Sequence, residues 1–72
     1  MKQISVHGYI TKYEDNVYNG IKYLTQDLDR EEAKVFFEQA RMYHSAQFED
    51  EFEGQYMITY NSTDGSYTLT KR

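Results

Sequence analysis

The stretch QYMITYNSTDGSYTLTK, residues 55–71, decides the fold. Two alternating runs flank a turn segment, STDG. Asp64-Gly65 is a strong turn signal, because glycine takes up the positive φ that hairpin turns need. Tyr56, Ile58 and Tyr60 share a face in the first run, and Tyr67 and Leu69 share one in the second. A loop with an even residue count sets both groups on the same side. A two-residue turn at Asp64-Gly65 does this with Tyr60 opposite Leu69, and a one-residue slip would expose the whole set.

Immediately upstream, AQFEDEF (residues 46–52) also alternates. Ala46, Phe48, Asp50 and Phe52 fall on one side, and Gln47, Glu49, Glu51 and Glu53 on the other. The pattern predicts a strand ending in a turn at Gly54, with Phe48 and Phe52 inward and Asp50 as the misfit. Glu49, Glu51 and Glu53 would then form an acidic row. The rival reading extends the preceding helix to about Asp50 and dissolves that row.

That helix is predicted over about Arg30–His44. Asp29 suits the N-cap and Glu32 the N3 position of a capping box, with Leu28 and Ala33 at the staple positions. Ala33, Phe36, Phe37, Ala40 and Tyr43 or His44 recur at helical spacing. Glu31 and Glu32 suit the positive end of the helix dipole and Arg41 the negative end. Glu31–Lys34 and Glu38–Arg41 are i,i+3 pairs.

The N-terminal residues, about Gln3–Thr11, read as a third strand. Ile4, Val6 and Ile10 lie on one face, with Tyr9 among the residues on the other. Residues 14–24 fit either a hairpin turned at Asn19-Gly20 or a loop. The expected fold class is α+β: one helix on one face of an antiparallel sheet of three to five strands, in the order β-(β)-α-β-β-β. The expected core is Ile4, Val6, Ile10, Phe36, Phe37, Ala40, Ile58, Tyr60 and Leu69.

Seventy-two residues allow one domain, 1–72. With no Cys there is no disulfide and no thiolate zinc site, so stability must come from packing, local signals or association. No signal-peptide pattern and no apolar run of membrane-spanning length occur, which leads us to expect a cytoplasmic protein. The net charge is −4 and unevenly spread. Residues 27–53 hold nine acids and three bases, a local net of −6, and the rest is mildly basic. That balance lacks the footprint of a nucleic-acid binder and points to a basic partner. Eight Tyr and no Trp are the other anomaly.

No catalytic constellation is visible. There is no Cys nucleophile, no serine in a G-x-S-x-G setting, and no phosphate-binding glycine pattern. His7 and His44 stand alone. We expect no enzyme and no cofactor. The four carboxylates of EDEFEG lack the rhythm of a calcium loop, and on a strand they point to opposite faces, so no metal site is expected.

Binding to a protein fits the pattern best. Glu49, Asp50, Glu51 and Glu53 would supply charge, and Phe48, Phe52 and Tyr56 aromatic anchors, for a basic and partly apolar partner. Small size, acidity, absence of Cys and the run FEDEFE are similar, as a class, to acidic inhibitors among phage and mobile-element proteins. The likeness implies carboxylates standing in for phosphates on a basic groove, and it identifies no family. Two alternatives stand beside this reading. One is a structural homo-oligomer, such as a homodimer formed through an open sheet edge. The other is single-stranded nucleic-acid binding by Tyr9 and Tyr13, with Met57 beside them, on the sheet face opposite the core. The charge argues against direct nucleic-acid contact. The plainest reading makes the acids a solvated edge that discourages aggregation.

Overall fold

The computed structural model describes Met1–Arg72. The chain runs β1 (Lys2–Val6), β2 (Tyr9–Tyr13), a 3-10 turn (Asp15–Val17), α1 (Tyr18–Lys22), a π turn (Tyr23–Asp27), α2 (Arg30–Tyr43), β3 (Ser45–Glu49), β4 (Gln55–Asn61) and β5 (Ser66–Lys71). The strands form one sheet in the order β1-β2-β5-β4-β3. All neighbours are antiparallel except β2 and β5, which pair parallel. The α+β class and the helix-on-sheet layering stand. The expected all-antiparallel sheet, single helix and element order are corrected.

The first correction lies at the N-terminus. The residues read as one strand form a hairpin, reversed by His7 and Gly8 at φ 52° and 91°. Two successive positive φ values fit a type I′ turn, whose twist matches that of the flanking strands. Val6 then pairs with Tyr9, so the even residues of β1 and the odd residues of β2 share a face. Val6 and Thr11 are buried, whereas Ile10 faces the other way at 42% exposure. Tyr9 therefore lies on the core face, its ring stacked on Phe37 at 4.4 Å between centroids. Tyr13 shares that face and packs against the core. His7 fastens the turn to the helical layer. Its Nε2 lies 2.8 Å from the carbonyl oxygen of Leu24 and 3.2 Å from that of Leu28. Carbonyls only accept, so Nε2 carries the proton and donates to both.

Residues 14–24 are neither hairpin nor loop. Val17, Ile21 and Leu24, at i, i+4 and i+7, are buried along the α1 segment. Gly20 serves packing rather than a turn: a Cβ there would lie 3.0 Å from the Tyr56 ring.

The longer helix, α2, follows its sequence signals. The Asp29 carboxylate accepts from the Glu32 amide at 2.8 Å, and the Glu32 carboxylate accepts from the Asp29 amide at 3.1 Å. Glu38 and Arg41 pair at 2.8 Å. Ala33, Phe37 and Ala40 are buried, while Phe36 and Tyr60 are half-buried against the core. The helix ends at His44, whose φ of 73° is left-handed.

The C-terminal hairpin keeps its expected faces but not its register. Tyr60 pairs with Tyr67 and Ile58 with Leu69, around a four-residue loop, Ser62–Gly65. Asp64 accounts for the longer loop. Its carboxylate accepts from the Ser66 amide and hydroxyl at 3.0 and 2.6 Å, and it pairs with Lys12 of β2 at 2.9 Å. The loop is even, so the side-chain faces survive the shift.

Nine of the twelve aromatics are wholly or partly buried together. Phe37 meets Tyr67 edge-on at 5.0 Å, and Phe48 contacts Tyr23, Phe36 and Tyr56 within 6.1 Å. Each such pair adds about 0.5–1.5 kcal/mol beyond area burial. The tyrosine excess is thus largely an interior feature. The opposite sheet face carries Gln3, Ser5, Ile10, Lys12, Gln47, Glu49, Met57, Thr59, Thr68 and Thr70 and no aromatic. Met57 lies on that open face as expected, but Tyr9 and Tyr13 do not join it. No helix is long and apolar enough to cross a membrane.

The left-handed residue at the end of α2 offers a check. Replacing His44 by Gly removes the Cβ penalty while keeping the backbone bond from the Tyr60 amide to the residue-44 carbonyl. His44→Gly should raise unfolding free energy by about 0.5–1 kcal/mol in urea titration. A loss of stability would show that the His44 side chain supports the fold.

Candidate functional site

The segment from Phe48 to Tyr56 is split by the structure. β3 covers Ser45–Glu49, so the strand reading holds for its first half. Beyond Glu49 the chain turns inward instead of continuing, and the cause is Asp50. The residue is 9% exposed, and its carboxylate accepts from the amides of Phe52 and Gly54 and from the Tyr56 hydroxyl, each at 2.8 Å. The Asp50 amide donates to the Gly54 carbonyl at 2.9 Å, closing the turn. A buried carboxylate is costly unless its oxygens are satisfied, and here they are.

The turn leaves no room for a larger residue at position 54. A Cβ there would lie 2.7 Å from both Asp50 Oδ2 and the Tyr56 hydroxyl. Glu53, just before it, sits at a left-handed φ of 66°. Such backbone costs of order 1–3 kcal/mol and persists only where its surroundings hold it.

These facts reassign the predicted anchors. Phe48 and Tyr56 are core residues, at 5% and 3% exposure, and cannot contact a partner. Asp50 is committed to the turn. Phe52, expected to point inward, stands outward at 82% exposure, and Asp50 takes the inward place. The acidic row is broken after Glu49, which lies on the open sheet face, while Glu51 and Glu53 sit on the turn. Glu49, Glu51, Phe52 and Glu53 remain exposed together at one end of the sheet.

The turn also forms one wall of a cleft of about 250 Å3. Asp50, Glu51 and Phe52 line that wall, and Asn19, Lys22, Tyr23 and Asp27 of α1 and the π turn line the other. The helical wall was missed in the sequence because residues 14–24 were not read as helix. The cleft is smaller than typical small-molecule pockets, about 300–1,000 Å3. Its free charges are Asp27 and Glu51 against Lys22, a negative balance beside two aromatic rings. A cationic side chain suits such a surface, by charge and by its affinity for aromatic faces. No group of three or more potential ligands is placed to hold a metal ion.

The electrostatics of the turn follow from its geometry. Burial pushes the Asp50 carboxyl up, but hydrogen bonds from Tyr56, Gly54 and Phe52, with the charge of Lys71, outweigh it and hold the group below its ordinary value. The Tyr56 phenol is pushed up to about 12, by burial first and then by its bond to Asp50 and the charge there. Asp64 is also held low by the Ser66 hydroxyl, Lys12 and the Ser66 amide.

A lowered aspartate pKa means that the unfolded chain takes up the proton first as pH falls. The stabilisation is complete above the unfolded value of about 3.9 and is lost as pH drops through the folded one. Acid unfolding should therefore set in below about pH 4. For Tyr56 the stabilisation is complete below the ordinary tyrosine value and lost as pH rises toward 12. Asp50→Ala leaves a buried phenol and two amides without their acceptor. It should cost at least about 2 kcal/mol at pH 7 and flatten the acid limb in denaturation monitored by circular dichroism. An unchanged pH profile in that variant would remove Asp50 as its source.

No protein-family model matches the chain, and no curated protein and no solved structure matches it.

Proposed function

We propose that the chain is a non-enzymatic module that binds a protein with a basic surface, through Phe52 and the carboxylates around it. One observation carries the reading: Phe52 is 82% exposed on a turn held closed by the buried Asp50 carboxylate. A large aromatic presented to solvent by rigid backbone loses little entropy on contact, as a binding anchor requires. Glu51 and Glu53 flank it in the turn, Asp27 lies across the cleft, and Glu49 at the end of β3 adds further negative charge. Such charge speeds the approach of a basic partner and orients it. The cleft would receive a lysine or arginine side chain while Phe52 packs on the neighbouring apolar surface. A modulator or inhibitor of a basic protein, including a nucleic-acid-binding one, fits this chemistry. The narrower idea of a regular carboxylate row imitating phosphates has weaker support, because Glu49 and the pair Glu51 and Glu53 stand on different surfaces.

The test uses an arginine-rich peptide as probe, with affinity measured by fluorescence anisotropy across salt concentrations. Exposed ion pairs contribute about 0.2–1 kcal/mol each, so converting Glu49, Glu51 and Glu53 to Gln should weaken binding by about threefold to a hundredfold at low salt. The difference should shrink as salt rises. Phe52→Ala should weaken binding by a factor that salt does not remove. Equal affinities of both variants and the parent at low salt would sink the proposal.

A further inference from the structure

We infer that β3 is a self-pairing edge: two copies of this chain join antiparallel along β3, about a two-fold axis at Gln47. The free edge follows from the hydrogen-bond parity of the sheet. The Tyr60 amide donates to the His44 carbonyl, and the Asp50 amide donates to the Gly54 carbonyl. In the β3–β4 register these bracket the pairs Ala46–Ile58 and Phe48–Tyr56. Narrow and wide pairs alternate in an antiparallel ladder, so His44, Ala46, Phe48 and Asp50 direct their amides and carbonyls toward β4. On the far side of β4, the Arg72 amide donates to the Gln55 carbonyl, which confirms that the odd residues of β4 face β5. Ser45, Gln47 and Glu49 therefore direct their amides and carbonyls outward, where no strand lies.

Sheet edges are usually guarded by lysine, proline or a bulge. The other edge, β1, has such a guard in Lys2, which is paired with Asp15. β3 has neither lysine nor proline, and its five residues pair with β4 without a bulge.

Two further observations choose a second copy as the occupant. Tyr43 and Phe52, the most exposed aromatics in the chain at 69% and 82%, stand just before and just after β3. Antiparallel pairing about Gln47 places the end of one β3 beside the start of the other, so Phe52 of each copy comes beside Tyr43 of its partner copy. The charges match in the same way. Arg41 and His44 precede the strand with no acid between them, and Glu49, Glu51 and Glu53 follow its middle. Within the paired strands Glu49 comes opposite Ser45, not opposite another carboxylate, so like charges do not meet. The binding surface around Phe52 would thus be built by two chains, although the pairing itself does not depend on the proposed partner.

Sedimentation equilibrium from micromolar to sub-millimolar concentration tests this without a partner present. The expected result is a reversible rise from 8.6 kDa to twice that mass. Gln47→Pro removes only an outward amide, a change tolerated on an edge, and should weaken dimerisation at least about tenfold while far-ultraviolet circular dichroism stays native. Should proline disturb the strand, cysteine scanning decides. Hydrogen-bonded residues directly opposed across antiparallel strands lie about 5.5 Å apart at Cα, within disulfide reach. Gln47→Cys should then form an intermolecular disulfide under mild oxidation, and Ser5→Cys on β1 should not. A chain that stays monomeric over the whole range overturns the inference. So does a dimer that cross-links through the Ser5→Cys variant alone. Assemblies that grow without limit would instead indicate head-to-tail pairing of β3 with β1, and would overturn it equally.

Discussion

The buried carboxylate of Asp50 is the constraint on which the rest of this structure depends. A strand pattern that could have run from Ala46 to Phe52 is stopped because that oxygen pair gathers two amides and a phenol. With its hydroxyl satisfied, the Tyr56 ring can be buried, stacked on Phe48 at 5.3 Å. The same ring packs closely against α1 at Gly20, where a Cβ would lie 3.0 Å from it. One ionised group thereby fixes a turn, a core tyrosine and the seat of a helix. It also forms part of one wall of the cleft.

The other long-range tie is at the opposite end of the molecule. The N-terminal hairpin joins the sheet by parallel pairing of β2 with β5, a contact between residues more than fifty positions apart. His7 secures it by donating to two carbonyls where the π turn ends, groups that a helix end leaves without internal partners. Tyr9 adds the stack on Phe37 of α2. The two histidines, which stand alone in the sequence, both sit at left-handed positions where the chain changes direction.

Legibility in the sequence followed the range of the interaction. The helix α2 was readable because its cap, spacing and charges lie within fifteen residues. The faces of the C-terminal hairpin were readable because alternation survives an even change of loop length, although the register was not. The N-terminal hairpin was misread because His7 is an unusual residue at positive φ, and the expected Asn-Gly or Asp-Gly signal was absent. A turn of two residues swaps the parity of the following strand, and that single omission moved Tyr9, Tyr13 and Ile10 to the wrong faces. The reverse error occurred at Asn19-Gly20, where a good turn dipeptide lies within a helix. The spacing of Val17, Ile21 and Leu24 was the signal that could have shown it. The parallel pairing of β2 with β5 had no local signal at all.

The candidate site was misread for a related reason. Residue type suggested that aromatics and acids in one run would share one surface, whereas a small core needs its aromatics inside. Of the twelve aromatics only Tyr18, Tyr43 and Phe52 are left exposed, and two of those bracket β3. Exposure in so small a chain forgoes burial of about 1.5–3 kcal/mol per large side chain. Phe52 could have been turned inward by a plain continuation of the strand, had position 50 been apolar. Instead a carboxylate occupies the inward place and the ring is held out. The turn thus gives up the burial of Phe52 and gains that of Tyr56, whose hydroxyl Asp50 satisfies.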